Sequence, residues 1–190
     1  MIFLSASIPV QERHKAYIDT ADVIAIRDAV RALATVVIPN SHLVWGGHPA
    51  ITPLIHYVMR RMKVNMKKHI TLYQTEWFRD LFPKDNAFFE NVIVTDKKEN
   101  IQASLELMRN SMIKNHSYKA GVFIGGMEGV EEEFKLFKEA HPNALLLPIA
   151  STGAAAKIVH DKYLQNPDSR LSNDYAYMTL FNSILKNHLK

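Results

Sequence analysis

Short apolar segments alternate along this chain with segments whose apolar residues recur at helical spacing, and this alternation limits the folds open to it. The apolar segments predict strands at Ile2–Ala6, Leu43–Trp45, Ile70–Tyr73, Asn91–Thr95, Gly121–Ile124 and Leu145–Leu147. Strands that alternate with helices are joined by right-handed crossovers, and they form a mainly parallel sheet covered on both faces. The sequence therefore predicts a three-layer α/β fold of the Rossmann-like type.

The predicted helices differ in how clearly their ends are marked. Thr20 is expected to be the N-cap of a helix whose buried stripe begins with Val23, and Pro53 suits the first turn of the next helix. A long helix is expected from about Asn100 to Asn115, with Ile101 on its apolar face.

The C-terminal end of the chain predicts an amphipathic helix. We expect one Rossmann-like domain over residues 1–170, followed by a terminal segment over residues 171–190. The helix is expected within Tyr175–Leu189, where apolar residues cover a wide surface. That surface either packs back on the domain or contributes to a dimer.

The composition of the chain excludes several classes of protein and several kinds of functional site. The chain has 190 residues, 47% of them apolar and 22% charged, as expected of a soluble globular protein. It contains no cysteine, which excludes disulfides, thiolate metal sites and a cysteine nucleophile. The histidines are scattered, so we expect no metal site. No cofactor is expected either. No apolar run approaches the ~20 residues that cross a bilayer, and a cytoplasmic protein without membrane insertion is expected.

The glycines are the most informative residues for function. The chain has seven glycines. Most of them lie in turns between a predicted strand and a predicted helix: Gly46, Gly47, Gly125, Gly126, Gly129 and Gly153. Such turns meet at the carboxyl edge of a parallel sheet, where each opens a helix whose free N–H groups favour an anion. Tight turns without a ligand are the structural alternative, but the repetition predicts a phosphate-bearing ligand.

Other polar residues are expected at the same edge. Ser5 and Ser7 end the first strand, His48 follows Gly47, and Ser151 and Thr152 precede Gly153. Standard nucleotide fingerprints are missing, because no Gly-x-Gly-x-x-Gly follows the first strand and no Walker sequence is present. Ordinary dinucleotide dehydrogenases and P-loop NTPases are therefore disfavoured.

One stretch of the chain suggests a family. An Arg-bearing helix around Arg109 is followed by a strand and then by Gly125-Gly126-Met127-Glu128-Gly129-Val130-Glu131-Glu132-Glu133. This resembles the Pro-Gly-Gly-x-Gly-Thr-x-x-Glu hallmark of the Lonely Guy phosphoribohydrolases. With Ser5-x-Ser7 and the Gly46-Gly47 loop, residues 1 to 160 resemble the wider SLOG superfamily of Smf/DprA and Lonely Guy proteins.

The resemblance carries functional expectations. Stand-alone SLOG families are associated with prokaryotic conflict and nucleotide-signalling systems. The resemblance therefore implies a sensor of a nucleotide or an NAD- or ADP-ribose-derived signal, which acts with an effector protein. It also favours a homo-oligomer. Among the motif residues it implies ligand contacts for Glu128 and Gly129.

Two further functions stay open. Arg109 and Glu133 match the catalytic pair of the phosphoribohydrolases, which cleave an N-glycosidic bond of a nucleotide. The motif departs from that pattern, because it has one extra residue before Gly129, Ile124 in place of Pro and Val130 in place of Thr. A solvated arginine and an acidic first helical turn are the structural alternatives for these two residues.

The third function is DNA binding of the DprA kind. A basic stretch over residues 60–69 and the distant kinship with DprA proteins are its supports. A cationic helix end with a solvated loop explains that stretch better, since no aromatic residues are interleaved for stacking on a single strand. A net charge of +4 adds little, so a nucleic-acid partner is not expected. We rank the sensor first, the enzyme second and the DNA-binding protein third.

Overall fold

The fold is a six-stranded, fully parallel sheet between two layers of helices. The computed structural model describes residues 1–10, 15–62 and 67–189. The strands are β1 (Ile2–Ser7), β2 (Leu43–Gly46), β3 (Ile70–Thr75), β4 (Val92–Thr95), β5 (Ala120–Gly125) and β6 (Leu145–Ile149), in the order β4-β3-β2-β1-β5-β6. The predicted three-layer α/β fold is confirmed.

The helices cover both faces of this sheet. They are α1 (Lys15–Ile18), α2 (Val23–Val37), α3 (Thr52–Arg61), α4 (Ile101–Lys114), α5 (Glu128–Ala140), α6 (Ala154–Tyr163), α7 (Arg170–Asn173) and α8 (Tyr177–Leu185). Helix α2 packs between α3 and α8 on one face, and α5 packs between α4 and α6 on the other. Short 3-10 turns at Lys67–His69, Glu76–Leu81, Lys84–Phe88 and Ala150–Thr152 complete the described connections.

The strand β1 shows how the sequence builds two cores. Ile2 and Leu4 belong to the apolar cluster beneath α2 and α3, whereas Phe3 belongs to the cluster beneath α4 and α5. Side chains alternate between the faces of a strand, so a continuous apolar run serves a strand that is buried on both sides.

Two details of the predicted helices are wrong. Helix α2 is capped by Asp22, whose carboxylate accepts a hydrogen bond from the Ala25 N–H at 2.9 Å. Thr20 instead accepts a hydrogen bond from the Ala154 N–H at 2.9 Å and so holds the start of α6. Val23 and Ile101, expected on buried stripes, are 44% and 43% exposed, because each lies in a first turn outside the contact with the sheet.

The terminal helix α8 is shorter than expected and lies against α2. Its buried side chains are Tyr177, Leu180, Phe181 and Leu185. Ser151 and Tyr177 join this layer to the turn after β6, since their hydroxyl oxygens lie 3.1 Å apart.

The order of the strands reverses between β1 and β5. The chain adds β2, β3 and β4 to one side of β1, then returns to add β5 and β6 on the other. At such a switch point the two neighbouring connections leave in opposite directions, and a crevice opens at the carboxyl ends of the strands. The fold therefore places a site beside Ser5 and Ser7.

Candidate functional site

A cavity of about 380 Å³ lies at the carboxyl edge of the sheet, at this switch point. The ends of β1, β2 and β3 form its floor, α4 and the start of α5 form one wall, and residues 78–83 form the opposite wall. Residues predicted at the ends of different strands are thus brought together in one cavity with residues from distant parts of the chain.

Most of the predicted site residues line this cavity. They are Ser5, Ser7, Gly46, Gly47, His48, Arg109, Glu128, Gly129 and Glu133. The positions that resemble the catalytic pair, Arg109 and Glu133, form an ion pair on one wall of the cavity: the Arg109 Nε lies 3.4 Å from Glu133 Oε1.

The remaining predicted residues hold the turns beside the cavity and do not line it. Gly125 and Gly126 adopt φ values of +56° and +91°, which favour glycine. Their N–H groups donate to Thr152 Oγ1 at 2.9 Å and to the Ser7 carbonyl at 2.8 Å. The Ser151 hydroxyl lies 3.3 Å from the Asp174 carbonyl. These groups stabilise the loops from inside.

The first amides of α5 are free to bind an anion. The N–H groups of Met127, Glu128 and Gly129 donate no hydrogen bond to any residue that the structure describes. All three residues line the cavity. Unpaired N–H groups at a helix N-terminus, together with the helix dipole, attract phosphate and carboxylate groups.

Arg109 stands beside these amides because residue 129 is glycine. A Cβ atom at Gly129 would lie 2.8 Å from Arg109 Nη2. The guanidinium therefore crosses the first turn of α5 in a space that any other residue would fill. Its Nη1 donates to the Glu132 carboxylate, so the side chain is fixed from two sides.

Glu133 is held between a hydroxyl and a cation. The Ser5 hydroxyl donates to Glu133 Oε2 at 2.6 Å, and Arg109 Nε donates to the other oxygen at 3.4 Å. The Glu133 side chain is only 13% exposed. Burial raises the pKa of its carboxyl, while Arg109 and the Ser5 hydroxyl oppose that rise.

His48 supplies a neutral imidazole to the cavity. Burial lowers the pKa of His48, because the charged ring loses its hydration. The ring Nδ1 accepts a hydrogen bond from the Ala50 N–H at 3.2 Å. A neutral ring whose Nδ1 accepts carries its proton on Nε2, so Nε2 can donate to a ligand.

Sequence reasoning missed the wall opposite α5. Phe78, Phe82 and Gln74 line the cavity beside β3. The segment Trp77 to Pro83 has no helical or strand periodicity, so its position was not predictable from pattern. An aromatic-rich turn directly after a strand end was the available signal. Trp45 and Tyr73, the aromatic residues at the ends of the second and third predicted strands, do not line the cavity, and neither does Glu76.

The basic stretch lies on another part of the molecule. Arg60 and Arg61 form the exposed last turn of α3, and the His69 ring lies 2.8 Å from the Ile38 carbonyl. Lys63 falls outside the described residues. None of the stretch's described side chains lines the cavity.

Comparison with known proteins decides the family. The family model described as the SLOG cluster3 family matches residues 16–185. The chain belongs to this SLOG family. The match spans every strand from β2 to β6 and both elements that carry Arg109 and Glu133. No curated protein and no solved structure matches the chain.

Metal-ligand clusters and membrane-spanning helices are both missing from the part of the chain that the structure describes. Within residues 1–10, 15–62 and 67–189, no group of three or more acidic or histidine side chains is arranged to hold a metal ion. Over the same ranges, no helix has the length and apolar character needed to cross a membrane.

Proposed function

We propose that this SLOG protein binds a nucleotide in the cavity at its switch point. The observation that carries the proposal is that the two ends of the cavity differ in chemistry. The unpaired amides of α5 and Arg109 lie at one end, and Phe78 and Phe82 lie at the other. A phosphate fits the first end through charge, and a base fits the second through stacking.

The two ends are separated by a suitable distance. The N-terminus of α5 follows β5, whereas Gln74 and Phe78 lie at the end of β3 and just after it. Three strand spacings separate β5 from β3 in the sheet, which is roughly 14 Å. Side chains from both ends line the cavity, so the gap between a bound phosphate and a bound base is shorter than the spacing of the strands, and the serine hydroxyls and His48 lie between the ends.

The role we propose is that of a sensor. Both oxygens of Glu133 already have partners, and Arg109 is tied to two glutamates. Such a pre-formed network fixes a ligand in place without a free base to activate water. The resemblance to stand-alone SLOG proteins supports a nucleotide or an NAD- or ADP-ribose-derived signal, a prokaryotic defence or signalling setting, and an effector protein as partner.

Mass spectrometry and calorimetry test this proposal. Small molecules released from the purified protein are identified first, and ADP-ribose, cyclic ADP-ribose and nucleoside monophosphates are then titrated. We expect an intact nucleotide to bind wild type and to bind Arg109→Met at least tenfold more weakly, because a charged hydrogen bond contributes about 1.5–3 kcal/mol. Arg27→Met, which removes an exposed arginine of α2, is the matched control.

Two results of these titrations would contradict the proposal. Binding that is equal in wild type, Arg109→Met and Arg27→Met would place the ligand outside this cavity. A panel that neither binds nor reacts would reduce the site to a feature of the fold without a retained ligand.

A second candidate function is cleavage of the N-glycosidic bond. The observation that favours it is Glu133, a buried carboxyl with a raised pKa that faces the cavity beside Arg109. A carboxyl beside the ribose can stabilise the positive charge that develops there and orient water. Glu133→Gln separates the two functions: a sensor keeps its ligand, whereas an enzyme stops releasing free base.

A further inference from the structure

A second concave surface lies between α2, α3 and the start of α8, and it shares no described residue with the cavity at the switch point. It has a volume of about 730 Å³, and we call it the α2–α3 groove. Arg31 lines it from α2, Tyr57 and Arg61 line it from α3, and Tyr175 and Met178 line it from the terminal segment. The switch-point site uses none of these side chains, so the groove needs an explanation of its own.

Exposed apolar side chains are concentrated in the α2–α3 groove. Tyr57, Tyr175 and Met178 are 44%, 61% and 44% exposed. Aromatic residues, methionine and arginine are the residue types enriched in the buried centre of protein–protein interfaces. Tyrosine and arginine are also frequent among the residues that contribute most to the binding energy of such interfaces. The composition of the groove is therefore that of a protein-binding surface.

Two guanidinium groups are held over the ring of Tyr57. The Cζ atoms of Arg31 and Arg61 lie 4.9 Å and 5.4 Å from the centre of that ring. A guanidinium that stacks on an aromatic ring is fixed in position, while its N–H groups stay available for hydrogen bonds. The stacking therefore places two cations in the groove before a partner binds.

The charges of these arginines are poorly neutralised within the protein. Arg31 approaches the Asp28 carboxylate only to 4.0 Å, which is beyond hydrogen-bond distance, and both side chains are exposed. Arg61 pairs with no carboxylate in the part of the chain that the structure describes. Guanidinium groups bind carboxylates through paired, charge-assisted hydrogen bonds. The charges in the groove are thus complementary to an acidic occupant.

A nucleic acid fits the groove less well than an acidic protein segment does. The described lining carries two arginines and one aspartate, Asp28. Nucleic-acid binding depends on neutralising several phosphates at once, and Asp28 would repel the phosphate backbone. The exposed apolar side chains also favour a partner that brings apolar side chains of its own.

Helix α3 connects this groove to the switch-point cavity. Its first turn is fixed to the loop that carries His48, because the His48 carbonyl accepts hydrogen bonds from the Ile51 and Thr52 N–H groups at 3.0 Å and 2.9 Å. Its last turn carries Arg61. A helix rises about 1.5 Å per residue, so α3 spans roughly 15 Å between the two surfaces. A ligand at His48 and a partner at Arg61 would therefore contact the same helix.

We propose that the α2–α3 groove binds a segment of a partner protein that presents carboxylates beside an apolar side chain. The carboxylates pair with Arg31 and Arg61, and the apolar side chain packs against Tyr57 and its neighbours. This inference rests on the proposed function for the existence of a partner protein. It does not depend on which ligand the cavity binds.

Peptide selection tests the assignment. Random-sequence peptides displayed on phage are selected on wild type, and the enriched sequences are synthesised with a fluorescent label. Fluorescence anisotropy then measures their binding to wild type, to Arg31→Gln/Arg61→Gln and to Lys135→Gln/Lys138→Gln. The lysine variant is the matched control, because it removes two exposed positive charges from α5, outside the groove.

We expect the enriched peptides to carry Asp or Glu beside an apolar residue. The arginine variant should bind them at least tenfold more weakly than wild type, because two charge-assisted hydrogen-bonded pairs are lost. The lysine variant should bind them as wild type does. Tyr57→Ala should also weaken binding, since it removes both the apolar contact and the ring that holds the guanidinium groups. Circular dichroism of each variant confirms that the fold is retained.

Several results would overturn the proposal. A selection that enriches no peptide, enriched peptides without acidic residues, or equal binding by wild type and the arginine variant would each do so. A labelled single-stranded oligonucleotide and sedimentation test the other occupants. If oligonucleotide binding or a dimer is lost in the arginine variant but kept in the lysine variant, the groove belongs to nucleic acid or to a second copy of the chain. None of these results bears on nucleotide binding in the cavity, which the titrations of Arg109→Met measure separately.

Discussion

At the scale of single residues, the site depends on two close approaches that only glycine permits. Gly129 leaves space for the Arg109 guanidinium, and Gly47 leaves space for the Gln74 carboxamide. Neither residue needs a positive φ; the space beside the backbone is what matters. Gly125 and Gly126, two of the three described glycines with a positive φ, serve the turn itself through internal hydrogen bonds.

Gly129→Ala should therefore weaken ligand binding and leave the fold intact. The new Cβ would lie 2.8 Å from Arg109 Nη2, so the flexible end of the arginine must move away from the α5 amides. We expect about tenfold weaker nucleotide binding by calorimetry, a loss of ~1.4 kcal/mol. Lys135→Ala, at an exposed position of the same helix outside the cavity, is the matched control. Equal affinities in the two variants would contradict this account of Arg109.

Glu133 should give the protein a specific pH dependence of stability. Its pKa lies above the ordinary value of 4.5 in the folded protein, so the folded state holds its proton more tightly than the unfolded state. As the pH rises past 4.5, the unfolded chain ionises first and the free energy of unfolding falls, until the folded carboxyl ionises as well.

Glu133→Gln removes this titration. Unfolding free energies are measured by urea denaturation across a pH series. The unfolding free energy of the variant minus that of wild type should increase as the pH rises through the range in which Glu133 titrates. Above it the difference should stay constant. Glu139→Gln, at an exposed position of the same helix, should show no such trend. A difference that shrinks as the pH rises would show that the folded pKa is lowered.

At the scale of elements, the helix α5 brings the anion-binding amides and the acidic side chains to one place. Its start is fixed by Gly126, whose φ of +91° lets the chain turn sharply out of β5. Ser7 accepts the Gly126 N–H, so the first and fifth strands jointly position the helix. The geometry of the phosphate end therefore depends on this turn.

Gly126→Ala should disturb both stability and binding. A residue with a side chain is destabilised by about 1–2 kcal/mol at positive φ. The alanine Cβ at position 126 would also lie 2.2 Å from Val130 Cγ2. We expect a loss of at least ~1 kcal/mol in unfolding free energy, together with weaker nucleotide binding. Lys138→Ala, at the exposed far end of α5, should leave both unchanged. Unaltered nucleotide binding by Gly126→Ala would mean that the geometry of this turn does not affect the binding site.

The elements also show how far the sequence is informative. Periodicity predicts the parallel sheet, and the glycines and polar residues at strand ends predict Ser5, Ser7, Gly46, Gly47, His48 and Gly129 at its carboxyl edge. Arg109, Glu128 and Glu133 follow from the resemblance to the Lonely Guy motif. These patterns do not predict that the N–H groups of Gly125 and Gly126 are used internally, because that depends on Thr152 and Ser7 from distant strands. Nor do they place Phe78 and Phe82, which lie in a 3-10 segment without periodicity.

At the scale of the whole molecule, the terminal helix α8 completes the layer that supports the switch point. Tyr177, Leu180, Phe181 and Leu185 are buried in the same apolar cluster as Ile2 and Leu4 of β1. The floor of the cavity and the end of the chain therefore share one core. A homo-oligomer remains a prediction, to be measured by sedimentation.

Phe181→Ala should destabilise the whole protein. The side chain is fully buried, and its removal leaves a cavity that costs about 3–5 kcal/mol. The unfolding free energy from urea denaturation measures the loss. Met178→Ala on the same helix, where the side chain is 44% exposed, should cost less than ~1 kcal/mol. Similar losses in both variants would mean that α8 does not dock as described.

If one cavity binds phosphate at α5 and a base at β3, amide chemical shifts report on both ends of that cavity at once. In ¹⁵N-labelled protein, inorganic phosphate and ribose 5-phosphate should shift the backbone amides of Met127, Glu128 and Gly129. Adenosine should shift the side-chain amide of Gln74, and AMP should shift both sets together. Shifts confined to other surfaces, or AMP shifts that spare either end of the cavity, would contradict the account.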